Sequence, residues 1–261
     1  MKVEIIHPGD GWVLDRLARI LIERIPGAYG SPHASRAQAD TDIAYFMHYG
    51  LFGQSHAPVR GCFMPHKEPP DAVFDMAARH AGFCVAPSRA SVAECLPFNA
   101  ATHLVYHGID LQAFRPRLRI GFVGREYPSG RKGSEIFGFL RGLDFVDLRL
   151  TNGTLRDDEI PAFIGDMDYI LIASKHEGGP LCFQEALASG VEVISTDVGM
   201  VSDFRDAPGV HLYPYNDLAA LRQLLDRLLA RRLQLRRTVE RYSEAYFAEQ
   251  HLQIFQRQLG R

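Results

Sequence analysis

Apolar residues along this chain follow two rhythms. Short apolar runs rich in Val, Ile and Phe alternate with longer stretches in which apolar residues return every three or four positions. The first rhythm is that of strands buried on both faces, and the second is that of amphipathic helices. In the first half, Val3 to Ile6, Asp42 to Tyr49, Arg60 to Met64, Cys84-Val85 and Thr102 to Tyr106 predict strands. Val13 to Ile25 and the stretch after Ser88 predict helices. In the second half, strand and helix alternate from Arg119 to about Tyr213, with strands at Phe145 to Leu150, Tyr169 to Ala173 and Val191 to Ser195. Helical spacing returns from Leu218 to Arg241 and from Tyr246 to Leu259. Such alternation predicts parallel sheets in an α/β protein. The expected division is 1–112, 113–245 and a terminal helix over 246–261, long enough for two domains with their own cores.

One strand–loop–helix–strand unit carries most of the chemistry. After the apolar run Tyr169 to Ala173 comes Ser174-Lys175-His176-Glu177-Gly178-Gly179-Pro180-Leu181, then a helical stretch through Glu185 to Gly190, then Val191 to Ser195. Gly178 and Gly179 permit a tight turn, Pro180 suits a helix start and Gly190 suits its end. Glu177 falls on the loop at the carboxyl end of the strand, and Glu185 falls in the helix. Open α/β sheets bind ligands at that end. The helix start between the two carboxylates is a seat for phosphate. Carboxylates beside a phosphate seat make sense as acceptors for hydroxyls, so the pattern suggests a ligand with both phosphates and sugars, a nucleotide-sugar.

This segment resembles the donor-binding signature of GT-B glycosyltransferases of the family 4 (group 1) retaining type, in which two glutamates stand as Glu177 and Glu185 do. A second stretch is similar to the same family: His107-Gly-Ile-Asp110, Phe114 and Pro116, then Leu118 to Arg125, then Lys132-Gly133. The sequence departs from the family at His107, where Asn is usual, and at Val191-Glu192. The resemblance implies two Rossmann-like domains with parallel sheets facing across a cleft. It implies that Arg125 and Lys132 bind the donor diphosphate, that Glu177 contacts the transferred sugar and that Glu185 holds the ribose. The backbone of Gly178, Gly179, Pro180 and Leu181 completes the donor site, with Gly11 and Asn152 as further donor contacts. It also implies transfer to an acceptor hydroxyl with retention and without a metal, the nucleoside-diphosphate sugar serving as co-substrate and no other cofactor being needed. Cationic groups suit that reaction because a departing nucleoside diphosphate gains negative charge.

The first half matches the family in outline only. A histidine at the end of a strand there is expected beside the anomeric carbon, and His66 is the best match, with His48 second. His48, Asp10 and Trp12 are candidates for the acceptor side; Asp10 also suits a helix cap, and the lone Trp12 suits stacking on a sugar. The first domain is short for this fold. That implies an open site for a large acceptor such as a glycan or a lipid-linked glycan. The alternative is a degenerate protein that binds nucleotide-sugar, or serves a partner transferase, without turnover.

Composition changes this picture little. The 261 residues carry a formal charge of −2, which gives no reason to expect general nucleic-acid binding. No apolar run reaches transmembrane length, and the first residues read as a strand, not as a signal peptide. Cys62, Cys84, Cys95 and Cys182 show no paired spacing and read as reduced thiols of a cytoplasmic protein. The Arg- and Leu-rich stretch from Leu218 to Arg241 reads as a surface helix, with peripheral contact to the inner membrane surface as the second reading. Asp40-Thr-Asp42 and Asp166-Met-Asp168 spell the metal motif of a different transferase fold, but each precedes its strand, so no metal site is expected. Gly124 to Ser134 lacks the spacing of a P-loop.

Overall fold

The computed structural model describes residues 1–68 and 70–260. The chain forms two units: Met1–Phe114 with Val239–Arg261, and Arg115–Thr238. Each is a Rossmann-like layer of helices on both faces of a parallel sheet. Among the described residues, no helix is long and apolar enough to cross a membrane.

Unit 1 holds β1 (Val3–His7), α1 (Val13–Arg24), β2 (Ala28–Pro32), β3 (Ile43–Phe46), β4 (Val59–Phe63), α2 (Ala72–His80), β5 (Phe83–Ala86), α3 (Arg89–Cys95), β6 (Thr102–Leu104) and, from the far end of the chain, the helix Glu244–Gln258. Its strands lie in the order β2-β1-β3-β4-β5-β6, every pair parallel. Alternate residues of each strand feed opposite faces. Ile43 and Tyr45 join Phe63, Phe83, Phe247 and Phe255 in one cluster, whereas Ala44 and Phe46 join Cys62, Phe74 and Cys84 in the other. Glu4 is a polar residue of β1 that is fully buried. Its carboxylate accepts the Ser35 hydroxyl at 2.6 Å and the Arg36 N–H. A buried carboxylate needs such donors, and here they tie down the segment that follows β2.

The strand β2 has no counterpart in the apolar pattern. It is an edge strand containing Gly30 and Pro32, neither of which signals a strand, and Pro is tolerated there because one side of the strand has no ladder to serve. The strand expected over Asp42 to Tyr49 is shorter, Ile43–Phe46, and it is followed by a 3₁₀ turn over Tyr49–Leu51.

Unit 2 holds β7 (Leu118–Phe122), α4 (Phe137–Arg141), β8 (Val146–Leu150), α5 (Ile160–Gly165), β9 (Tyr169–Ile172), α6 (Leu181–Ala188), β10 (Glu192–Ser195), β11 (Val210–Leu212) and α7 (Leu218–Arg237). The closing helix of unit 1 is α8. The sheet order is β11-β10-β9-β7-β8, again parallel throughout. Leu118, Ile120 and Phe122 pack with Phe137, Leu140 and the Leu221, Leu224, Leu225, Leu228 stripe of α7. Ile170, Ile172 and Val193 face Ile164, Phe183 and Ala186 of α5 and α6.

Strand order locates the ligand ends. In unit 2 the chain runs from β7 outward to β8, then returns to β9 on the other side of β7 and proceeds to β10. The reversal therefore lies between β7 and β9. In unit 1 it lies between β1 and β3. Loops leaving adjacent strands in opposite directions open a crevice at the carboxyl ends, where α/β sheets take their ligands.

Candidate functional site

The two loops flanking the unit 2 crevice carry Lys132 and Glu177. The loop after β7 reaches Arg131 to Gly133, and the loop after β9 runs from Ala173 to Pro180. The backbone binds them together: the Lys175 N–H donates to the Arg131 carbonyl at 2.9 Å. A Cβ on Gly133, whose φ is +71°, would lie 2.0 Å from the Ala173 carbonyl oxygen, so only glycine allows this approach.

Lys132 Nζ donates to Glu177 Oε1, and Ser174 Oγ donates to the same oxygen at 2.7 Å. Burial alone would raise the Glu177 pKa, but these donors and the nearby Arg131 outweigh it and hold the carboxyl below its ordinary range. Gly178 and Gly179 follow on the exposed turn, and Pro180 is the N-cap of α6. Among the described residues no side chain caps this helix, and Pro180 has no N–H; the Phe183 N–H turns back to the Pro180 carbonyl at 3.0 Å, which leaves the Leu181 and Cys182 N–H groups at the positive end of α6. Leu181 is exposed at its first position. Cys182 lies next, its thiol pushed up to about 11 by burial, which makes it an inert neighbour and not a nucleophile.

Glu185 is half-buried on α6 and lines a hollow of about 250 Å3 with Asp157, Ile160, Pro161 and Ala188. Arg125 and Asn152 come together at the β7–β8 side. The Arg125 stem lies over Gly153, whose added Cβ would meet its Cγ and Nε at 2.5 Å. Asn152 takes a left-handed φ of +50° in the same turn, and the Gly124 N–H donates to Thr151 Oγ1 at 3.0 Å. Among the described residues Arg125 has no carboxylate partner, unlike Lys132.

In unit 1, Gly11, Asp10 and Trp12 leave β1 and His48 leaves β3, the two strands of its reversal. The Asp15 carboxylate accepts the N–H groups of Gly9 at 2.9 Å and Gly11 at 2.5 Å, and pairs with His7 Nδ1 at 2.7 Å. Burial works against its ionisation, yet these donors hold its pKa down at about 2. The Gly11 N–H is thus already spent on a carboxylate of the same chain. Asp10 is not the helix cap: its Oδ1 accepts the Trp12 N–H at 2.9 Å, and Trp12 itself is the N-cap residue of α1. The indole is 79% exposed.

His48 and His66 follow the adjacent strands β3 and β4, with ring centroids 6.4 Å apart. The Gly50 N–H donates to His48 Nδ1 at 2.9 Å, so the neutral His48 ring carries its proton on Nε2. Burial, and then His66, lower the His48 pKa. Tyr49 stacks on His48 and bonds to Asp71, and its hydroxyl pKa is raised to about 12 by burial and by that carboxylate. Lys67 is drawn away to Asp75 and the rings of Phe74 and Phe98.

Both Asp-x-Asp pairs sit at the amino ends of their strands and are engaged there. Asp42 accepts the Lys2 N–H at 2.7 Å and Asp40 pairs with Lys2 Nζ at 2.7 Å; Asp168 takes Arg119 and Arg232. Among the described residues no cluster of His, Cys, Asp and Glu could hold a metal ion. Cys62, Cys84, Cys95 and Cys182 are free thiols. The sequence reading missed Ser174, whose partner Glu177 lies on its own loop, and Thr196 and Thr151, whose partners lie on other loops. Only the closeness of Ser174 to Glu177 in the chain could have signalled one of them.

Residues 150–245 match the family Glycosyl transferases group 1. The matched stretch begins at the last residue of β8 and contains the Glu177 loop, all of α6 and Thr196. Among solved structures, the chain is similar to the Anabaena protein HepE in complex with UDP-glucose, with a TM-score of 0.42 and 13% identity over 100% of this chain and 99% of that one. It is also similar to AviGT4, a glycosyltransferase involved in avilamycin A biosynthesis, with a TM-score of 0.34 and 17% identity over 100% and 98%. A third is the apo form of the lipopolysaccharide outer core galactosyltransferase WaaB, with a TM-score of 0.36 and 13% identity over 100% and 99%. At these scores the likeness places no residue. No curated protein matches the chain.

Proposed function

We propose that this chain transfers a sugar from a nucleoside-diphosphate sugar to an acceptor hydroxyl, with retention of anomeric configuration and without a metal. One observation carries the reading: within and beside the matched stretch, the Lys132–Glu177 pair meets the uncapped end of α6 at the strand reversal. A cation, free helix N–H groups and a carboxylate in one crevice match a ligand with a diphosphate on one side and hydroxyls on the other.

In this reading Lys132, Arg125 and the Gly178 to Leu181 backbone take the diphosphate, Glu177 orients the sugar, and Glu185 takes the ribose. Asn152 and its turn border the base. The bond from the anomeric carbon to the phosphate oxygen breaks, and its electrons leave with the nucleoside diphosphate. The acceptor oxygen bonds to the anomeric carbon on the same face, and its proton passes to the departing phosphate oxygen. No protein nucleophile is assigned. Fixed cations stabilise the charge that builds on the leaving group. In unit 1, His66 assists near the anomeric carbon, and His48, Asp10 and Trp12 serve the acceptor, a glycan or lipid-linked glycan at the cytoplasmic face of a membrane.

A second reading, nucleotide-sugar binding without turnover, is favoured by Asp15, which occupies the Gly9 and Gly11 N–H groups. Calorimetry with UDP-glucose, UDP-galactose, UDP-N-acetylglucosamine and GDP-mannose, with and without EDTA, tests both. Binding on the order of micromolar to one donor, insensitive to EDTA and weakened in Glu185→Ala, supports the donor site. Release of nucleoside diphosphate with an added glycan acceptor then separates transfer from binding alone. No binding by any donor overturns the reading.

A further inference from the structure

Two buried hydroxyls beside Glu177 have no part in the roles above. Ser174 and Thr196 are each 1% exposed. The Thr196 N–H donates to the Ile172 carbonyl at 2.9 Å, extending the β9–β10 pairing one step past its last regular pair, Ser195 with Ile172. Thr196 Oγ1 then donates to the Ser174 carbonyl at 2.6 Å, and Ser174 Oγ donates to Glu177 Oε1 at 2.7 Å. A chain of hydrogen bonds thus runs from the rigid sheet end to a carboxylate on a loop.

The two oxygens of Glu177 are not equivalent. Oε1 receives both Ser174 and Lys132, whereas Oε2 has no hydrogen-bond partner among the described residues. We propose that Ser174 and Thr196 are positioning residues for Glu177: Ser174 holds Oε1 so that Oε2 is presented to a sugar hydroxyl, and Thr196 acts through Ser174. The inference rests on the reading that Glu177 orients the transferred sugar. Its force comes from the fate of Lys132. An ammonium on a flexible stem turns toward a diphosphate when one arrives. Ser174 is then the donor that remains on Oε1, fixed by burial and by the sheet behind it. A carboxylate held by packed neighbours keeps the geometry that a free rotor would lose.

The test compares Ser174→Ala, Thr196→Val and Thr196→Ser with the wild type. Calorimetry uses UDP against UDP-glucose and GDP against GDP-mannose. In parallel, carbon-13 NMR follows the titration of the Glu177 carboxyl, with Lys132, Arg131, Glu185 and Cys182 as the surrounding titratable groups. Ser174→Ala is expected to weaken the sugar nucleotide about tenfold while changing its nucleoside diphosphate by no more than about twofold. Thr196→Val follows in the same direction, and Thr196→Ser restores wild-type behaviour. The Glu177 titration moves upward in Ser174→Ala, because a donor to the charged form has gone.

Equal weakening of both ligands, with a matching fall in melting temperature, overturns the proposal in favour of a role in loop folding. Should the wild type bind none of the four sugar nucleotides named above, the donor reading fails by itself. The NMR titration still decides the positioning claim, and an unmoved Glu177 in Ser174→Ala overturns it.

Discussion

Gly199 and Glu177 approach so closely that a Cβ at position 199 would stand 2.5 Å from the Glu177 carbonyl oxygen and 2.2 Å from that of Gly178. Gly199 has φ +51°, and the next residue, Met200, donates its N–H to the Gly178 carbonyl at 2.9 Å. The Glu177 loop is therefore gripped by the segment after β10 on one side and by Gly133 on the other. Gly199→Ala must push the loop outward and is strained besides. Its expected cost is about 1–3 kcal/mol of stability, read by urea unfolding, together with a loss of donor affinity that exceeds the stability effect.

Lys132 and Glu177 differ in what their removal leaves behind. Lys132→Gln keeps a hydrogen-bond donor but removes the charge, and the Glu177 titration should move up. Glu177 has a depressed pKa, so it stays ionised through neutral and mildly acidic pH and protonates only as pH falls below the ordinary carboxylate range. Donor binding in the wild type should therefore show no acid limb until below about pH 4.5. In Lys132→Gln that limb appears at higher pH, alongside a fall in diphosphate affinity of about tenfold or more, measured by calorimetry across a pH series.

His251 sets the acid stability of unit 1. It is fully buried, with Nε2 beside the Tyr45 hydroxyl at 3.1 Å and Nδ1 beside the Phe247 carbonyl at 2.8 Å. A carbonyl only accepts, so Nδ1 carries the proton and Nε2 takes the Tyr45 O–H. Burial lowers its pKa to about 4, outweighing the Phe247 bond. A histidine with a depressed folded pKa contributes stability that is complete above the unfolded value near 6.5 and is lost as pH falls toward 4. The contribution is about 3 kcal/mol at most. His251→Gln should make the stability profile shallower between pH 6.5 and 4 in urea titrations; an unchanged slope there would contradict it.

Trp12 offers a reading of unit 1 without labels, because it is the only tryptophan and is 79% exposed. Its emission should be that of a hydrated indole and should quench readily with iodide. A glycan acceptor that stacks on it should shift the emission to the blue and protect it from iodide, while Trp12→Ala should leave donor calorimetry unchanged. Emission indifferent to every acceptor that supports turnover would remove Trp12 from the acceptor side.

Much of the segment from β9 through α6 to β10 is legible in the sequence because its signals are local. Apolar runs mark β9 and β10, and Gly178, Gly179, Pro180 and Gly190 punctuate the helix between them. The apolar pattern could not show β2, an edge strand with Gly30 and Pro32. Asp15 was equally hidden, since it reads as an ordinary first-turn acid until the fold brings Gly9 and Gly11 onto it. Ser174 and Thr196 were invisible for a related reason. A hydroxyl has meaning only through its partner: that of Thr196 lies across a loop closure that the order of residues does not state, and that of Ser174 depends on how its own loop turns.

The helix α8 comes from the last part of the chain, yet Phe247 and Phe255 sit in the same cluster as Tyr45, Phe63 and Phe83 of the first half. A chain emerging from the ribosome amino end first therefore presents unit 1 with an unfinished apolar face until α8 has been made. Unit 2 is contiguous and can mature while unit 1 waits. Synthesis and folding run in different orders here, and a chain cut anywhere between unit 2 and Phe247 leaves unit 1 as the part exposed to chaperones and proteases.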